Sequence, residues 1–346
     1  MKNRIDTSRK KTPWDNKNNI NPTEKFVKDK YKDNYNNKHP KLSDTSESEM
    51  LNSIILDRCK RCDSENIKKY GFSKNGVQRY YCNDCKREFS VITGTIFQDH
   101  KISITEWVEY ILDILYYGSY SLTSRVNKNS MNTAIYWINK IFLLLKDYQD
   151  DIILKNNVYI DEFFYSVIKS DIKIKNNKKL RGISQNKYCI GIGFDHKNVI
   201  VKVECLGKTT TDITTNTFIN HIENGSTLIH DDEKSHKKIV KQLHLKEKCY
   251  KSKDLKRLND KNNPLRPINH ICDLLRQFLN AHSGFDRDNL QDLLNLFSFI
   301  MSRPRNNLEK VEILLEKALT TNNTLKYRDL FDSKENNGNE SDGTCK

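Results

Sequence analysis

An α/β fold built on one mixed sheet, preceded by a zinc ribbon and a helical module, is what three features of this 346-residue sequence predict. Two Cys-x-x-Cys pairs stand 19 residues apart. Apolar residues then recur at helical spacing between residues 104 and 145. From Val158 onward, period-two runs alternate with helical ones, the pattern of a sheet with helices on it.

Taken in order, residues 1–50 are rich in Lys, Asn, Asp and Ser without a helix or strand period, which predicts a disordered basic tail. Residues 51–100 carry the cysteine pairs. In residues 101–156, a helix starts at Ile104 with Thr105 as its cap and places Trp107, Val108, Ile111, Leu112 and Leu115 on one face up to Gly118. Ser119–Asn129 is a short second segment, and Ser130 opens a third helix with Ile135, Ile138, Ile141, Phe142 and Leu145 on its apolar face. Three helices with short turns in a basic chain read as a helix-turn-helix-like, DNA-contacting module.

An α/β domain is expected over 157–310. Its strands are Val158–Asp161, Tyr188–Phe194, Val199–Leu206, Ser226–His230 and Glu247–Tyr250, the second and third joined by a hairpin at Asp195–Asn198. Helices are expected at Thr215–Ile222, at Ser235–Leu243, from Pro267, where proline suits a first turn, and over about Arg287–Met301. Residues 311–346 read as a C-terminal helix and a frayed tail.

Composition narrows the function classes. Charged residues make up 30 % and apolar ones 36 %, the mean hydropathy is −0.77 and the formal net charge is +14. No run approaches 18 apolar residues, so no membrane span is expected. The start MKNRIDTSRKK has no apolar stretch behind it, so no secretory signal is expected either. Nine cysteines, an odd number, speak for a reducing intracellular setting, cytoplasm or nucleoid in a prokaryote and nucleus in a eukaryote. Cys189, Cys205 and Cys249 read as buried small hydrophobes. No phosphate-binding glycine loop occurs. The basic excess points to a polyanion, double-stranded DNA first. The first 50 residues hold 12 basic against 8 acidic side chains, and residues 59–90 hold 8 against 4.

Cys59, Cys62, Cys82 and Cys85 form two knuckles whose thiolates can share one tetrahedral ion, so a structural Zn²⁺ is expected. The span between them, with Tyr70, Gly71, Tyr80 and Tyr81, reads as a β-hairpin carrying the second knuckle. Lys60, Arg61, Lys68, Lys69, Arg79, Lys86 and Arg87 decorate this module as candidate phosphate contacts. Asp161 and Asp231 close two predicted strands, where a pair of carboxylates can share divalent ions with substrate phosphate oxygens.

The runs CKRC, FSVITGTIF, YIDEFF, LIHDDEKSH and PINHICDLLRQFLNAHSGF resemble insertion-sequence transposases of the DDE type, in the ISXO-like branch with an N-terminal zinc ribbon related to the Merlin elements. The resemblance covers about residues 55–310. It implies a ribonuclease-H-like catalytic domain that uses Mg²⁺ or Mn²⁺: water attacks at the transposon ends, and the freed 3′-hydroxyl then attacks target DNA. It also implies a homodimer or higher assembly on terminal repeats and target DNA. Asp161 matches the first catalytic acid and Asp231 the second, with Asp232 as its alternative. The third acid is missing, since no Glu occurs between Lys248 and Leu308. Asn269, 38 positions after Asp231, stands in its place, as ligand or as helix N-cap. Asp273, one turn on, is the alternative and His270 follows. Glu162, on the opposite strand face from Asp161, is expected to be structural or to support the ligands. His230, His236 and His282 read as satisfied histidines, and Lys234, Lys237, Lys238 and Lys241 as a solvated face or a DNA channel. Two other readings are a decayed or domesticated transposase that keeps the ribbon as a DNA-binding or regulatory protein, and a structure-specific nuclease.

Overall fold

The computed structural model describes residues 46–331 apart from 100–102, 176–177 and 256, together with 22, 23, 25–27, 29 and 30. Most of the expected tail, and the end of the chain from 332, lie outside the described residues. The part of the tail nearest the ribbon departs from expectation, because helix α1, Ser46–Ser53, starts inside it. The chain divides into two compact units, residues up to Leu144 joined by those from Asn307, and residues 145–306.

In the first unit, β1 (Ile67–Phe72), β2 (Gln78–Cys82) and β3 (Glu88–Phe89) form the antiparallel ribbon sheet. Tyr80, Phe89, Cys59 and Cys82 make its small core. Helix α2, Ile104–Leu115, is capped by Ser103 and not by Thr105. Ser103 is the last residue in extended conformation, so its Oγ reaches the Glu106 N–H at 3.2 Å, whereas Thr105 already lies in the first turn. The buried stripe is Ile104, Trp107, Tyr110, Ile111, Ile114 and Leu115, leaving Val108 and Leu112 half-buried. The helix stops at Leu115, Tyr117 takes the left-handed conformation, and Gly118 follows. A Cβ on Gly118 would lie 2.6 Å from the Asp113 carbonyl, so only glycine fits this turn.

Helices α3 (Tyr120–Val126) and α4 (Met131–Leu145) follow, and the Tyr110 hydroxyl ties α2 to α4 by donating to the Ala134 carbonyl at 2.6 Å. Helix α9, Asn307–Thr320, returns to this unit, where the Tyr136 hydroxyl donates to the Leu325 carbonyl just beyond it.

Lys140 on α4 is 1 % exposed, with its ammonium 4.5 Å from the Tyr136 ring centre. Burial lowers its pKa to about 8. The folded state therefore gives up this proton before the unfolded state does, and stability contributed by this site rises as pH climbs from 8 towards 10.5. Lys140→Met is expected to stabilise the protein by about 3 kcal/mol at pH 7. The gain should shrink above pH 8, as read from denaturant midpoints; an unchanged or lower midpoint at pH 7 contradicts it.

The second unit holds a five-stranded mixed sheet. Strands β4 (Asn157–Ser166), β7 (Lys187–Phe194) and β8 (Val199–Leu206) form an antiparallel meander. β9 (Thr227–Asp231) and β10 (Lys246–Tyr250) run parallel to β4 on its other side. This is the ribonuclease-H-like arrangement that the resemblance implies. A two-stranded hairpin, β5 (Ile174–Lys175) with β6 (Lys178–Lys179), is inserted between β4 and β7 and was not anticipated.

One sheet face packs Val158, Ile160, Ile200 and Leu228 against Phe218 of α5 (Thr211–Phe218) and Ile239 of α6 (Lys237–Gln242). Helix α5 begins four residues before the expected start because Thr210 caps it, accepting from the Ile213 N–H. Helices α7 (Arg266–Ala281) and α8 (Leu290–Met301) follow β10, and α7 packs on β4 and β7.

The exposed edge of β8 is closed by side chains instead of another strand. Gln149 exchanges hydrogen bonds with both backbone groups of Val201, at 2.6 and 2.9 Å, and Gln291 of α8 accepts from the Val203 N–H at 2.9 Å. Ser298 and Ser302 serve Val199. A bare edge offers unpaired backbone groups to other chains. Gln149→Leu leaves the buried Val201 N–H without its acceptor and is expected to cost about 2 kcal/mol, measured by urea unfolding. No loss of stability would show the edge to be solvated.

Candidate functional site

The four ribbon cysteines converge as their spacing requires. Cys59 and Cys85 sulfurs lie 3.8 Å apart and those of Cys62 and Cys82 3.6 Å. A tetrahedral ion with Zn–S bonds of about 2.3 Å needs sulfurs about 3.8 Å apart, so the cluster has the dimensions of a zinc site. The knuckles match each other: the residue after each second cysteine, Asp63 and Lys86, takes the left-handed conformation that turns the chain back. Amide N–H groups of Arg61 and Cys85 point at the Cys59 and Cys82 sulfurs. The Cys85 N–H above all holds the Cys82 thiol down at about 6. All four are free thiols, as a metal site requires.

The basic residues of the ribbon divide. The Lys60 ammonium donates to the Leu319 carbonyl near the end of α9 at 3.2 Å, and burial lowers its pKa. Arg61 donates to the Glu88 carbonyl, and Arg79 pairs with the Glu88 carboxylate at 3.0 Å. Lys68 stands over the Tyr81 ring. Lys69, Lys86 and Arg87 are exposed.

The acid pair is set by sheet register. β4 pairs with β9 as Asn157↔Thr227, Val158↔Leu228 and Tyr159↔Ile229. Continued two residues, this parallel register sets Asp161 level with Asp231 on the same sheet face. Asp161 does not end its strand, as expected from the sequence; it lies in mid-β4, because β7 pairs along the strand through Ser166 after β9 has stopped. Burial first, and then the Asp231 charge, raise the Asp161 pKa to about 6, although the Glu162 N–H donates to its Oδ1 at 2.8 Å. Burial raises Asp231 as well, and its Oδ1 is a buried oxygen with no hydrogen-bond partner among the described residues. Two desolvated, mutually repelling carboxylates with an orphaned oxygen have the chemistry of a divalent-cation site.

Helix α7 lies against this face. The Cys272 thiol is 3.8 Å from Asp161 Oδ2, and Arg276 lies over the Phe163 ring two residues along β4. Asn269, three residues before Cys272, shares that side of the helix. It is not the N-cap: Leu265 holds that position without a side-chain bond, and the Asn269 N–H already donates to the Leu265 carbonyl. Its amide is therefore not committed to capping. Asp273 is exposed and paired with Arg276, and His270 is exposed. Asp232 is exposed too, and accepts from the Cys249 thiol. Sequence reasoning missed Cys272, for which its place one turn beyond Asn269 was the available signal.

On the other face, Glu162 accepts from Ser235 at 2.7 Å and lies 3.3 Å from His236. These contacts and the His236 charge keep Glu162 ionised despite its burial. His236 is fully buried and its Nδ1 meets His230 Nδ1 at 3.0 Å; His230 Nε2 in turn meets Glu247 at 3.2 Å. His282 bonds the Phe278 carbonyl. Both ring nitrogens of His230 are thus met, as expected, whereas His236 Nε2 has the 3.3 Å ion-pair contact with Glu162 and no hydrogen bond among the described residues. Cys189 is buried as expected, but Cys205 is half-buried and Cys249 exposed, because β8 and β10 are the two edge strands of the sheet. Of the α6 lysines, Lys238 pairs with Asp212, while Lys237 and Lys241 are exposed. Among the described residues no helix is long and apolar enough to cross a membrane.

No protein-family profile matches the chain. A stretch of 49 residues, 14 % of the chain, is 39 % identical to an uncharacterized protein in transposable element ISH50 of Halobacterium salinarum and covers 16 % of that protein. Among solved structures, the catalytic domain of Mos1 mariner transposase is 13 % identical over 53 % of this chain and 92 % of its own, at a TM-score of 0.22. A pre-cleavage Mos1 transpososome is 11 % identical over 61 % and 78 %, also at 0.22. The simian T-cell lymphotropic virus intasome with PP2A regulatory subunit B56 gamma is 10 % identical over 56 % and 65 %, at 0.27.

Proposed function

We propose that this protein is a DNA transposase of the zinc-ribbon, ISXO-like branch, which binds the ends of its element and cleaves and rejoins DNA at the acid pair. The observation that carries the reading is the pair itself: Asp161 and Asp231, level on adjacent parallel strands, with an oxygen that no donor among the described residues satisfies. The segment shared with a protein of a transposable element supports it.

Asp161 and Asp231 are the residues that would hold Mg²⁺ or Mn²⁺, with Asn269 offering a neutral amide oxygen from α7. Bound there, the divalent ions supply activation of the attacking hydroxyl and charge neutralisation at the phosphate. The protein's own part is orientation. Two paired strands fix both carboxylates, the Glu162 N–H holds Asp161 Oδ1, and α7 closes the site on the Cys272 side. The ribbon and helical module serve DNA recognition, with Lys69, Lys86 and Arg87 exposed for phosphate contact. The terminal repeats and target DNA are the partners, and two ends brought together make a homodimer or higher assembly on DNA the working form.

The test is nicking of the duplex ends that flank this protein's own reading frame. Mg²⁺-dependent cleavage followed by strand transfer is the expected result. Tight end binding without cleavage in Mg²⁺ or Mn²⁺ would identify the decayed form, which the neutral Asn269 in place of a third acid would then explain. Cleavage without joining would mark a nuclease.

A further inference from the structure

We propose that His230, Glu247 and Cys249 form a second zinc site, at the β9–β10 edge of the sheet and separate from the ribbon cluster. The parallel register pairs Cys249 with His230 directly and Glu247 with Leu228, so all three side chains share one face. Their donor atoms, one nitrogen, one oxygen and one sulfur, lie within 4.8 Å of one another, and His230 Nε2 is already 3.2 Å from Glu247. Tetrahedral coordination asks for separations of about 3.3–3.8 Å. Closing the remaining gap needs a shift of Glu247 and Cys249, both exposed and on an edge strand.

The donor set selects the metal. A thiolate with an imidazole suits Zn²⁺ and is foreign to Mg²⁺, which prefers oxygen alone. The surroundings are those of a zinc-bound histidine. Such a ring has its second nitrogen held by a hydrogen bond, which fixes the tautomer that leaves the first free for metal. Here His230 Nδ1 lies 3.0 Å from His236 Nδ1; with metal on His230 Nε2, the His230 Nδ1–H donates to a neutral His236 whose own proton faces Glu162, so metal binding also releases the extra proton of His236 to solvent. The thiol of Cys249 is turned towards the Asp232 carboxylate at 3.6 Å, next to the position left for a fourth ligand. Three protein ligands and one solvent-accessible position make an open site, and the exposure of Cys249 and Glu247 gives the ion its entry. On binding, the Cys249 proton leaves to solvent, so that the sulfur coordinates as thiolate. The ion would clamp the edge strand β10 to β9, directly behind Asp231.

This inference does not rest on the reading of Asp161 and Asp231, and its test keeps the two apart. Zinc bound per full-length chain is measured after loading under reducing conditions and removal of loosely held metal, and Co²⁺ spectra report the thiolate ligands. Two equivalents are expected in the wild-type protein. Cys249→Ser and Glu247→Gln should each weaken the second equivalent by about tenfold or more while leaving the ribbon equivalent. Both side chains are exposed, so the fold should survive, with circular dichroism as the check. An Asp161→Asn/Asp231→Asn double variant should still bind two. A single equivalent in the wild type, or an undiminished second one in Cys249→Ser, overturns the site. A second equivalent lost in the double variant and kept in Cys249→Ser would place that ion at the acid pair and overturn it equally.

Discussion

Asp161→Asn is expected to abolish Mg²⁺-dependent cleavage while making the metal-free protein more stable. The two effects have one cause. Burial and the Asp231 charge raise the Asp161 carboxyl to about 6. A carboxyl that is raised on folding holds its proton longer in the folded state, so its contribution to stability falls as pH rises from the ordinary value of 3.8 through 6. At pH 7 the penalty is fully present, and asparagine, nearly the same shape without the charge, removes it. The gain should be about 2–3 kcal/mol at pH 7 and should vanish near pH 3. Mg²⁺ should stabilise the wild type and not the variant. Cleavage should fall by about 10³-fold or more, which corresponds to about 4 kcal/mol of transition-state stabilisation. Binding to end DNA should be unchanged, since the ribbon and helices belong to the other compact unit. Asp231→Asn should lose cleavage in the same way, and since burial raises this carboxyl too, its stability should change in the same direction. Cleavage that persists in both variants would remove the acid pair from the mechanism, whatever the stability data show.

The second large effect concerns the ribbon. Its core is Tyr80, Phe89 and two of the cysteines themselves, too little apolar surface to order three short strands alone. Most of its folding free energy must come from the metal, for which structural zinc sites supply about 10–16 kcal/mol in isolated fingers. Cys82→Ser is therefore expected to lose the ribbon's zinc and to unfold residues 59–89 locally, with amide protection lost there and kept in the sheet. End binding should fall by about 100-fold or more, since ordered Lys69, Lys86 and Arg87 would be gone. A chelator strong enough to strip the S₄ site should reproduce this in the wild type. A ribbon that stays protected and binds DNA without zinc would refute the structural role.

Much of this architecture was legible because its signals are local. The hairpin between the cysteine pairs, the strand pairs around Asp195–Asn198 and the helix at Pro267 each follow from residues close in sequence. Errors fell where neighbouring residues compete. Ser103 and Thr105 are both good caps, and only the backbone conformation at Ser103 decides between them. The α5 start differs from the expected one for the same reason, with a run of threonines offering several caps and Thr210 prevailing. The acids after Ile160 break the apolar run and suggest a strand end at Asp161, yet the long pairing with β7 carries β4 on to Ser166.

By itself, the sequence determined the order of the main elements, the four-cysteine cluster and the two acids worth testing, since periodicity, knuckle spacing and carboxylate chemistry are all written within short windows. What only the tertiary structure decided is which distant residues meet. Parallel pairing 70 positions apart brings Asp161 level with Asp231. The return of α7 sets Cys272 against Asp161 and leaves Asn269 out of a cap, and the β9–β10 register gathers His230, Glu247 and Cys249. Register has no local signature: a parallel crossover leaves its strands free to slide until the whole sheet packs, and the buried faces of β4 and β9 choose the alignment.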